Sequence, residues 1–125
     1  MSELQANILK LYWPGALTIV IPASDKQTVN LTSNDLTIGL RIPNSYMAQS
    51  LLRETGPLLT SSANISGFKV SITAEGIALD FPSVDILGPV PWEYSSGKAS
   101  TIISWKKSGE WKLIREGEVS IKELN

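Results

Sequence analysis

The clearest pattern in the chain is a strict alternation of apolar and polar positions at 36–42. Leucine or isoleucine occupies every second position, and Thr37, Gly39 and Arg41 fill the positions between them. Because successive side chains of a strand point to opposite faces, this period of two predicts a strand that Pro43 ends. One face of the strand is expected in the core. The other presents a hydroxyl, a bare backbone and a guanidinium in a row.

Apolar residues at helical spacing, next to N-capping and helix-ending residues, predict three helices. A short amphipathic helix is expected after Ser2, a second that Asn44 or Ser45 caps and Gly56 ends, and a third from the N-cap Thr73 to Asp80. Each begins after a side chain whose oxygen can accept a hydrogen bond from a backbone amide of the first turn.

Runs of apolar and β-branched residues predict the remaining strands, and polar turn residues stand at 33–35. The predicted strands lie at 16–21, 28–32 (weaker), 58–60, 84–87, and 101–105 with 111–115, the last two as a hairpin around the loop 106–110. Since strands and helices interleave, the predicted fold class is α+β, a mixed α/β domain with helices flanking a mixed sheet.

The composition is that of one ordinary globular domain spanning 1–125. The chain has 125 residues, of which 42% are hydrophobic and 18% charged. No apolar run approaches the roughly 18 residues that a membrane helix needs, and the first residues lack the basic and apolar regions of a signal peptide. We therefore expect a soluble cytoplasmic protein with no membrane partner.

The chain contains neither cysteine nor histidine, which excludes several kinds of site. Disulfides, thiolate catalysis, cysteine-ligated zinc or iron–sulfur clusters, histidine general bases and Ser-His-Asp triads cannot form within it. Any catalysis must use serine, threonine, asparagine, lysine, arginine, carboxylates, backbone amides or a borrowed metal. This composition favours chemistry achieved by positioning and electrostatics.

Net charge argues against a strong electrostatic binder of nucleic acid. The formal charge is -1, from 11 basic and 12 acidic residues. The one local cluster, Lys106, Lys107 and Lys112, falls on the predicted hairpin, where such charges more often form a solvated turn than an RNA-binding patch.

Three polar stretches could carry chemistry. On the strand at 36–42, Gly39 would let a ligand approach the backbone while Arg41 grips a carboxylate or phosphate, although an ordinary half-exposed strand is about as good an interpretation. The stretch 60–67 is rich in hydroxyl and amide groups and follows a predicted strand, where such groups bind anions, or it is an ordinary polar loop. The third stretch is 97–101, with Arg115 at the end of the next strand, although Thr101 could simply begin a strand and Arg115 could be a surface charge.

Taken in order, the motifs of these stretches resemble the YrdC/Sua5/TsaC family over nearly the whole chain. The matching segments are Trp13-Pro14-Gly15-Ala16-Leu17-Thr18, Gly39-Leu40-Arg41-Ile42-Pro43, Thr60-Ser61-Ser62-Ala63-Asn64-Ile65-Ser66-Gly67, Ser100-Thr101-Ile102-Ile103 and Leu113-Ile114-Arg115-Glu116-Gly117. The Ser-Ala-Asn-x-Ser-Gly core is highly specific when Gly-x-Arg-x-Pro precedes it. The resemblance implies a twisted mixed sheet with helices around a large cavity.

The resemblance also implies an activity, that of an L-threonylcarbamoyladenylate synthase, a nucleotidyltransferase. Such enzymes convert L-threonine, bicarbonate or CO₂, and ATP, usually with Mg²⁺, into threonylcarbamoyl-AMP and pyrophosphate. The product supplies the threonylcarbamoyladenosine (t6A) of tRNA, and family members were also described as binding double-stranded RNA. Candidate partners are therefore the three substrates, tRNA or double-stranded RNA, and other proteins of t6A synthesis.

Site residues follow from the resemblance one position at a time. Arg41, Thr60 and Ser100 match the threonine-binding positions, where Arg41 would pair with the substrate carboxylate. The residues that match nucleotide-side positions or lie beside them are Thr37, Ser62, Asn64, Ser66, Ser71 and Arg115. No residue of this chain is expected to act as a nucleophile or proton-transfer group, and no protein-held metal is expected.

Several departures from the family pattern leave open whether this chain is itself an enzyme. Ala99 and Ser104 replace acidic residues, Ala16 replaces a proline, and the Lys/Arg-rich N-terminal motif has no counterpart. We therefore expect a chain truncated at its N-terminus relative to the family, poorly active alone, that forms a homo-oligomer to cover an open sheet edge. The alternatives are a non-catalytic paralogue that binds nucleotide or double-stranded RNA, and a carbamoyl-transfer domain like those of hydrogenase maturation.

Overall fold

The chain divides into two compact units in the computed structural model, which describes residues 1–32, 36–120 and 122. The sheet unit comprises Met1–Asn44 and Ala99–Asn125, and the insert unit is the continuous segment Ser45–Lys98. The helices are α1 (Glu3–Tyr12), α2 (Lys26–Asn30), α3 (Tyr46–Thr55) and α4 (Ala74–Asp80); the strands are β1 (Leu17–Pro22), β2 (Thr37–Leu40), β3 (Thr101–Trp105) and β4 (Trp111–Arg115).

A four-stranded mixed sheet organises the sheet unit. Its strand order is β2-β1-β3-β4. The central strands β1 and β3 are parallel, whereas β2 and β4 pair antiparallel with them at the two edges. This arrangement confirms the predicted mixed fold with strands and helices.

The core of the sheet unit lies on one face of this sheet. Leu17, Ile19 and Ile103 are at most 1% exposed, and Ile8 of α1 packs against them. Helix α1 begins with a capping box, in which Ser2 Oγ accepts from the backbone amide of Gln5 and the Gln5 side chain accepts from that of Ser2. The predicted first helix and buried strand are thus confirmed.

In the insert unit, one long irregular segment joins α3 to α4 and another follows α4. Ser45 caps α3 and Gly56 ends it at a φ of 74°, while Thr73 caps α4, so both predicted helices are confirmed. The buried apolar residues of the insert unit are Ala74 and Ile77, both on α4.

Among the described residues, no helix has the length and hydropathy to cross a bilayer.

Three predicted strands are wrong. Residues 26–30 form the single-turn helix α2, closed by a 2.9 Å bond from Val29 N to the Asp25 carbonyl, in place of a strand at 28–32. The segments 58–60 and 84–87 do not form strands. A strand must pair with a second strand, and an apolar run alone does not supply that second strand. The turn predicted at 33–35 lies outside the described residues.

The strand predicted at 36–42 is shorter than expected, and its apolar face is only partly covered. Strand β2 covers Thr37–Leu40. Leu36, Leu40 and Ile42 are 53%, 39% and 42% exposed, which corrects the expectation that this face lies in the core. The reason is that β2 is an edge strand, so its apolar side chains lie at the border of the core and are only partly covered.

Candidate functional site

The face of the sheet opposite α1 carries several polar side chains, among them Thr18 and Ser104. Register pairs Gly39 with Val20 and Ile102 with Thr18, so these side chains share a face, while the buried Leu17 and Ile19 point to the other. Thr37 lies on the same face by alternation from Gly39. We call this surface the polar face.

Ser100 forms hydrogen bonds with two other residues at one end of the polar face. Its Oγ lies 2.8 Å from Thr18 Oγ1, and it is 8% exposed. Arg115 donates to the Ser100 carbonyl from Nε at 3.1 Å and from Nη2 at 2.8 Å, and Nη2 also reaches Ser100 Oγ at 3.3 Å. Thr18, Ser100 and Arg115 thus form one group, the Ser100 cluster.

The backbone around Ser100 is fixed by the segment that follows β4. Thr101 is fully buried; its Oγ1 donates to the Val119 carbonyl at 2.5 Å and accepts from Gly117 N at 2.9 Å. Glu118 N donates to the Ala99 carbonyl at 2.9 Å. A Cβ on Gly117 would stand 2.6 Å from the Ser100 carbonyl group, so only glycine allows this approach.

Arg41 follows β2 and is anchored by the turn before β1. Its Nε donates to the Gly15 carbonyl at 2.8 Å, and Gly15 N donates back to the Ile42 carbonyl at 2.8 Å. Within the described part of the chain, no acceptor bonds to the two Nη groups. A guanidinium held by Nε in this way presents two parallel donors, which is the geometry that suits a carboxylate or a phosphate.

The electrostatic surroundings of Arg41 act in opposite directions. The surrounding protein desolvates the guanidinium and lowers the pKa of Arg41, while the negative charge of Glu118 raises it. Since a guanidinium stays protonated in proteins, Arg41 is a fixed positive charge near neutral pH.

The hydroxyl-rich stretch 60–67 of the insert unit is an exposed loop in which one side chain bonds to the backbone of the same segment. Thr60, Ser62 and Ser66 are exposed. Asn64 instead folds back, and its Nδ2 donates to the carbonyls of Ile65 at 3.3 Å and Phe68 at 3.0 Å. Asn64 therefore shapes the loop that displays the three hydroxyls.

Ser71 is half-buried against the first turn of α4. A Cβ on Gly76 would stand 2.9 Å from Ser71 Cβ and would collide with its Oγ, so the side chain of Ser71 fills the space that this glycine leaves. Its observed contact is thus with the protein rather than with an open surface.

The predicted site residues fall into two groups. Thr37, Arg41, Ser100 and Arg115 belong to the sheet unit, where Arg115 and Ser100 are in direct contact; Thr60, Ser62, Asn64, Ser66 and Ser71 belong to the insert unit. Among the described residues, no group of three or more carboxylate side chains is placed to hold a metal ion.

Sequence reasoning missed the contribution of Thr18 to the Ser100 cluster and of Gly117 to its backbone. For Thr18 a signal existed, because it is a hydroxyl residue between two buried apolar positions of a predicted strand. For Gly117 the close approach depends on a contact between distant segments, which no local pattern indicates.

With this geometry in view, comparison with known proteins identifies the family. The model of the Sua5/YciO/YrdC domain, described as telomere recombination, matches residues 1–117. The chain belongs to this family. The resemblance inferred from the ordered motifs is thereby confirmed.

Relatives of this Sua5/YciO/YrdC chain include named synthases. The threonylcarbamoyl-AMP synthase of Bacillus subtilis (strain 168) is 36% identical over 80 residues, which are 62% of this chain and 23% of the relative. That of Yersinia pestis (strain Pestoides F) is 36% identical over 89 residues, 70% of this chain and 47% of the relative. The chain thus spans about a quarter to a half of the length of these relatives.

The solved structures agree with the family assignment. P. abyssi Sua5 complexed with L-threonine matches 99% of this chain with a TM-score of 0.77 and 27% identity. A doubly substituted variant of the same protein matches with a TM-score of 0.73 and 25% identity. The match covers 36% of each of those chains, so it shows that this chain has the fold of one part of Sua5.

Proposed function

We propose that this chain binds L-threonine and ATP as part of a threonylcarbamoyl-AMP synthase of t6A synthesis. The observation that carries the proposal is Arg41, whose Nε is held by the Gly15 carbonyl and whose two Nη groups bond to no described residue. The family membership and the relatives named threonylcarbamoyl-AMP synthase support the reaction, and the Sua5 complex with L-threonine supports the ligand.

In this proposal the sheet unit supplies most of the charge. Arg41 pairs with the carboxylate of threonine, and Ser100 contacts the same ligand. Thr37 and Arg115 face the nucleotide, where the guanidinium offsets phosphate charge. The role of Thr60, in the insert unit, stays a prediction of the family resemblance.

The exposed hydroxyl loop supplies the nucleotide contacts of the insert unit. Ser62 and Ser66 donate to the nucleotide, and Asn64 holds the loop in the shape that presents them. Ser71, which packs against the first turn of α4, is a further nucleotide-side residue in this proposal.

The proposed reaction joins threonine, bicarbonate or CO₂, and ATP. The neutral amine of threonine attacks the carbon of CO₂, or that of bicarbonate with loss of water, and releases a proton to solvent to give a carbamate. A carbamate oxygen then attacks the α-phosphorus, the bond from the α-phosphorus to the bridging oxygen of the β-phosphate breaks, and pyrophosphate leaves. The protein contributes alignment and charge neutralisation, which need neither histidine nor cysteine. Mg²⁺ would neutralise triphosphate charge and be held chiefly by phosphate oxygens and water, as is usual for this ion.

Calorimetric titration tests the proposal with Arg41→Lys. Because a lysine ammonium cannot reproduce two parallel donors, we expect threonine binding to weaken by about 1–3 kcal/mol, with folding unchanged. The matched control is Arg53→Lys on α3, an exposed arginine outside the site, which should bind threonine as the unsubstituted chain does. Equal threonine affinity in both variants would contradict the role of Arg41.

Two further assays on the same protein preparation distinguish the synthase from the non-catalytic alternative. Pyrophosphate release from ATP that requires both threonine and bicarbonate supports the synthase. Binding to double-stranded RNA that falls steeply with salt, without threonine binding, would instead support the non-catalytic paralogue. The single-domain organisation, the homo-oligomer, the RNA partners and the cytoplasmic location stay predictions.

A further inference from the structure

The Ser100 cluster contains a hydroxyl that the sequence motifs did not assign to the site. Thr18 lies on β1, between Leu17 and Ile19, and its side chain is on the polar face. Its Oγ1 is 2.8 Å from Ser100 Oγ. Within the described part of the chain, this is the hydrogen bond that the Thr18 side chain makes.

The protons of the two hydroxyls can be counted. Each hydroxyl has one proton to donate and two lone pairs that accept. Ser100 Oγ already accepts from Arg115 Nη2 at 3.3 Å. If Thr18 donates to it as well, both lone pairs of Ser100 Oγ are filled and its own proton points away from Thr18 and Arg115. If Ser100 donates to Thr18 instead, that proton is used inside the protein.

These two arrangements differ in what Ser100 offers to a ligand. An ionised carboxylate such as that of threonine only accepts hydrogen bonds, so a serine that binds it must donate. Ser100 can do so only when Thr18 is the donor within the pair. Because Ser100 is 8% exposed and its carbonyl is held by Arg115, its hydroxyl has little freedom to find another arrangement.

We propose that Thr18 is a positioning residue that donates to Ser100 Oγ and thereby directs the Ser100 proton toward a carboxylate oxygen of the threonine ligand. The inference rests on the proposed function, since it assigns Ser100 to threonine. Thr18 does not touch the ligand in this arrangement; it acts through Ser100. Arg115 completes the arrangement by filling the other lone pair.

Two variants of the 125-residue chain test this role by titration with L-threonine. Thr18→Val keeps the shape of the side chain but removes the donor, and we expect threonine affinity to fall about three- to tenfold. Thr18→Ser keeps a hydroxyl at the same place and should restore affinity to within about twofold. ATP affinity should stay within about twofold in both variants, because the bonds from Arg115 to the Ser100 carbonyl remain.

A double-mutant cycle separates positioning from a structural effect. If Thr18 acts through Ser100, Thr18→Val should cause no further loss of threonine affinity in a chain that already carries Ser100→Ala. The matched control is Ser104→Ala, which removes another hydroxyl from the polar face, on β3 beside Val20, and should leave threonine affinity unchanged.

The outcomes separate this role from the proposed function. If Thr18→Val binds threonine as tightly as the unsubstituted chain, or if its loss adds in full to that of Ser100→Ala, the positioning role is overturned while the proposed function stands. If the unsubstituted chain binds no threonine, the proposed function fails and the role of Thr18 fails with it.

Discussion

The two units of this protein hold their candidate ligand-binding groups in different ways. In the sheet unit, Ser100 is buried and bonded to Thr18 and Arg115, and Arg41 is fixed by Gly15. In the insert unit, Ser62 and the other hydroxyls stand exposed on a loop. Fixed groups lose little conformational freedom when a ligand binds, whereas exposed side chains lose more. The comparison suggests preorganised recognition by the sheet unit and adaptable recognition by the insert unit.

The largest expected effect tests whether the sheet unit owes its order to its core. Leu17 is fully buried, so Leu17→Ala should lower the free energy of unfolding by about 2–5 kcal/mol through lost burial and a cavity. Urea unfolding followed by tryptophan fluorescence measures this in a Trp92→Phe background. The remaining tryptophans, Trp13, Trp105 and Trp111, all pack against this core.

The control for this experiment lies in the insert unit. Leu79 on α4 is 82% exposed, and Leu79→Ala should change the free energy of unfolding by no more than about 0.5 kcal/mol. A comparable loss in the two variants would mean that the contrast in burial between the units does not govern stability.

The next effect tests the backbone that supports Ser100. A Cβ on Gly117 meets backbone atoms of Ala99 and Ser100, which cannot move aside as a side chain can. We expect Gly117→Ala to lower the free energy of unfolding by about 1–3 kcal/mol and to weaken threonine binding. Gly39→Ala is the matched control, since its Cβ would meet Thr18 Cγ2 at an ordinary 3.5 Å, and its unfolding should be nearly unchanged. Gly117→Ala with full stability would contradict the close approach.

The smallest effect concerns the exposed loop of the insert unit. Ser62→Ala removes an exposed hydroxyl that makes no hydrogen bond within the described part of the chain, so we expect unchanged stability and ATP affinity about two- to tenfold lower. Threonine affinity should fall less. Ser83→Ala, another exposed serine of the same unit, should leave both affinities unchanged. Equal losses for ATP and threonine in Ser62→Ala would point to collapse of the loop rather than to a lost nucleotide contact.

How far the fold could be predicted depends on whether its signals are local. The helices after Ser45 and Thr73 were predicted from caps, which act within one turn, and the structure confirms both. The hairpin of β3 and β4 was likewise a local pattern and is confirmed. The segments 58–60 and 84–87 resemble strands in composition, but pairing depends on distant residues that a local window does not include.

In the candidate site, too, the features with a local signal could be predicted and those that depend on distant residues could not. The alternation at 36–42 placed Thr37 and Gly39 on one face, as the register confirms. It also placed Arg41 on that strand, whereas β2 ends at Leu40 and a carbonyl from a distant turn holds the guanidinium. The contact between Thr18 and Ser100 joins residues 82 positions apart, so only the tertiary structure reveals it.

The parallel pairing of β1 with β3 has a consequence for how the chain folds. The whole insert unit lies between β2 and β3 in sequence, so the two central strands cannot meet until the chain has passed through it. Closing so large a loop before any central contact forms costs entropy and raises the contact order. During synthesis α1, β1 and β2 therefore emerge before the strand that completes their core, and the sheet assembles only when β3 and β4 follow.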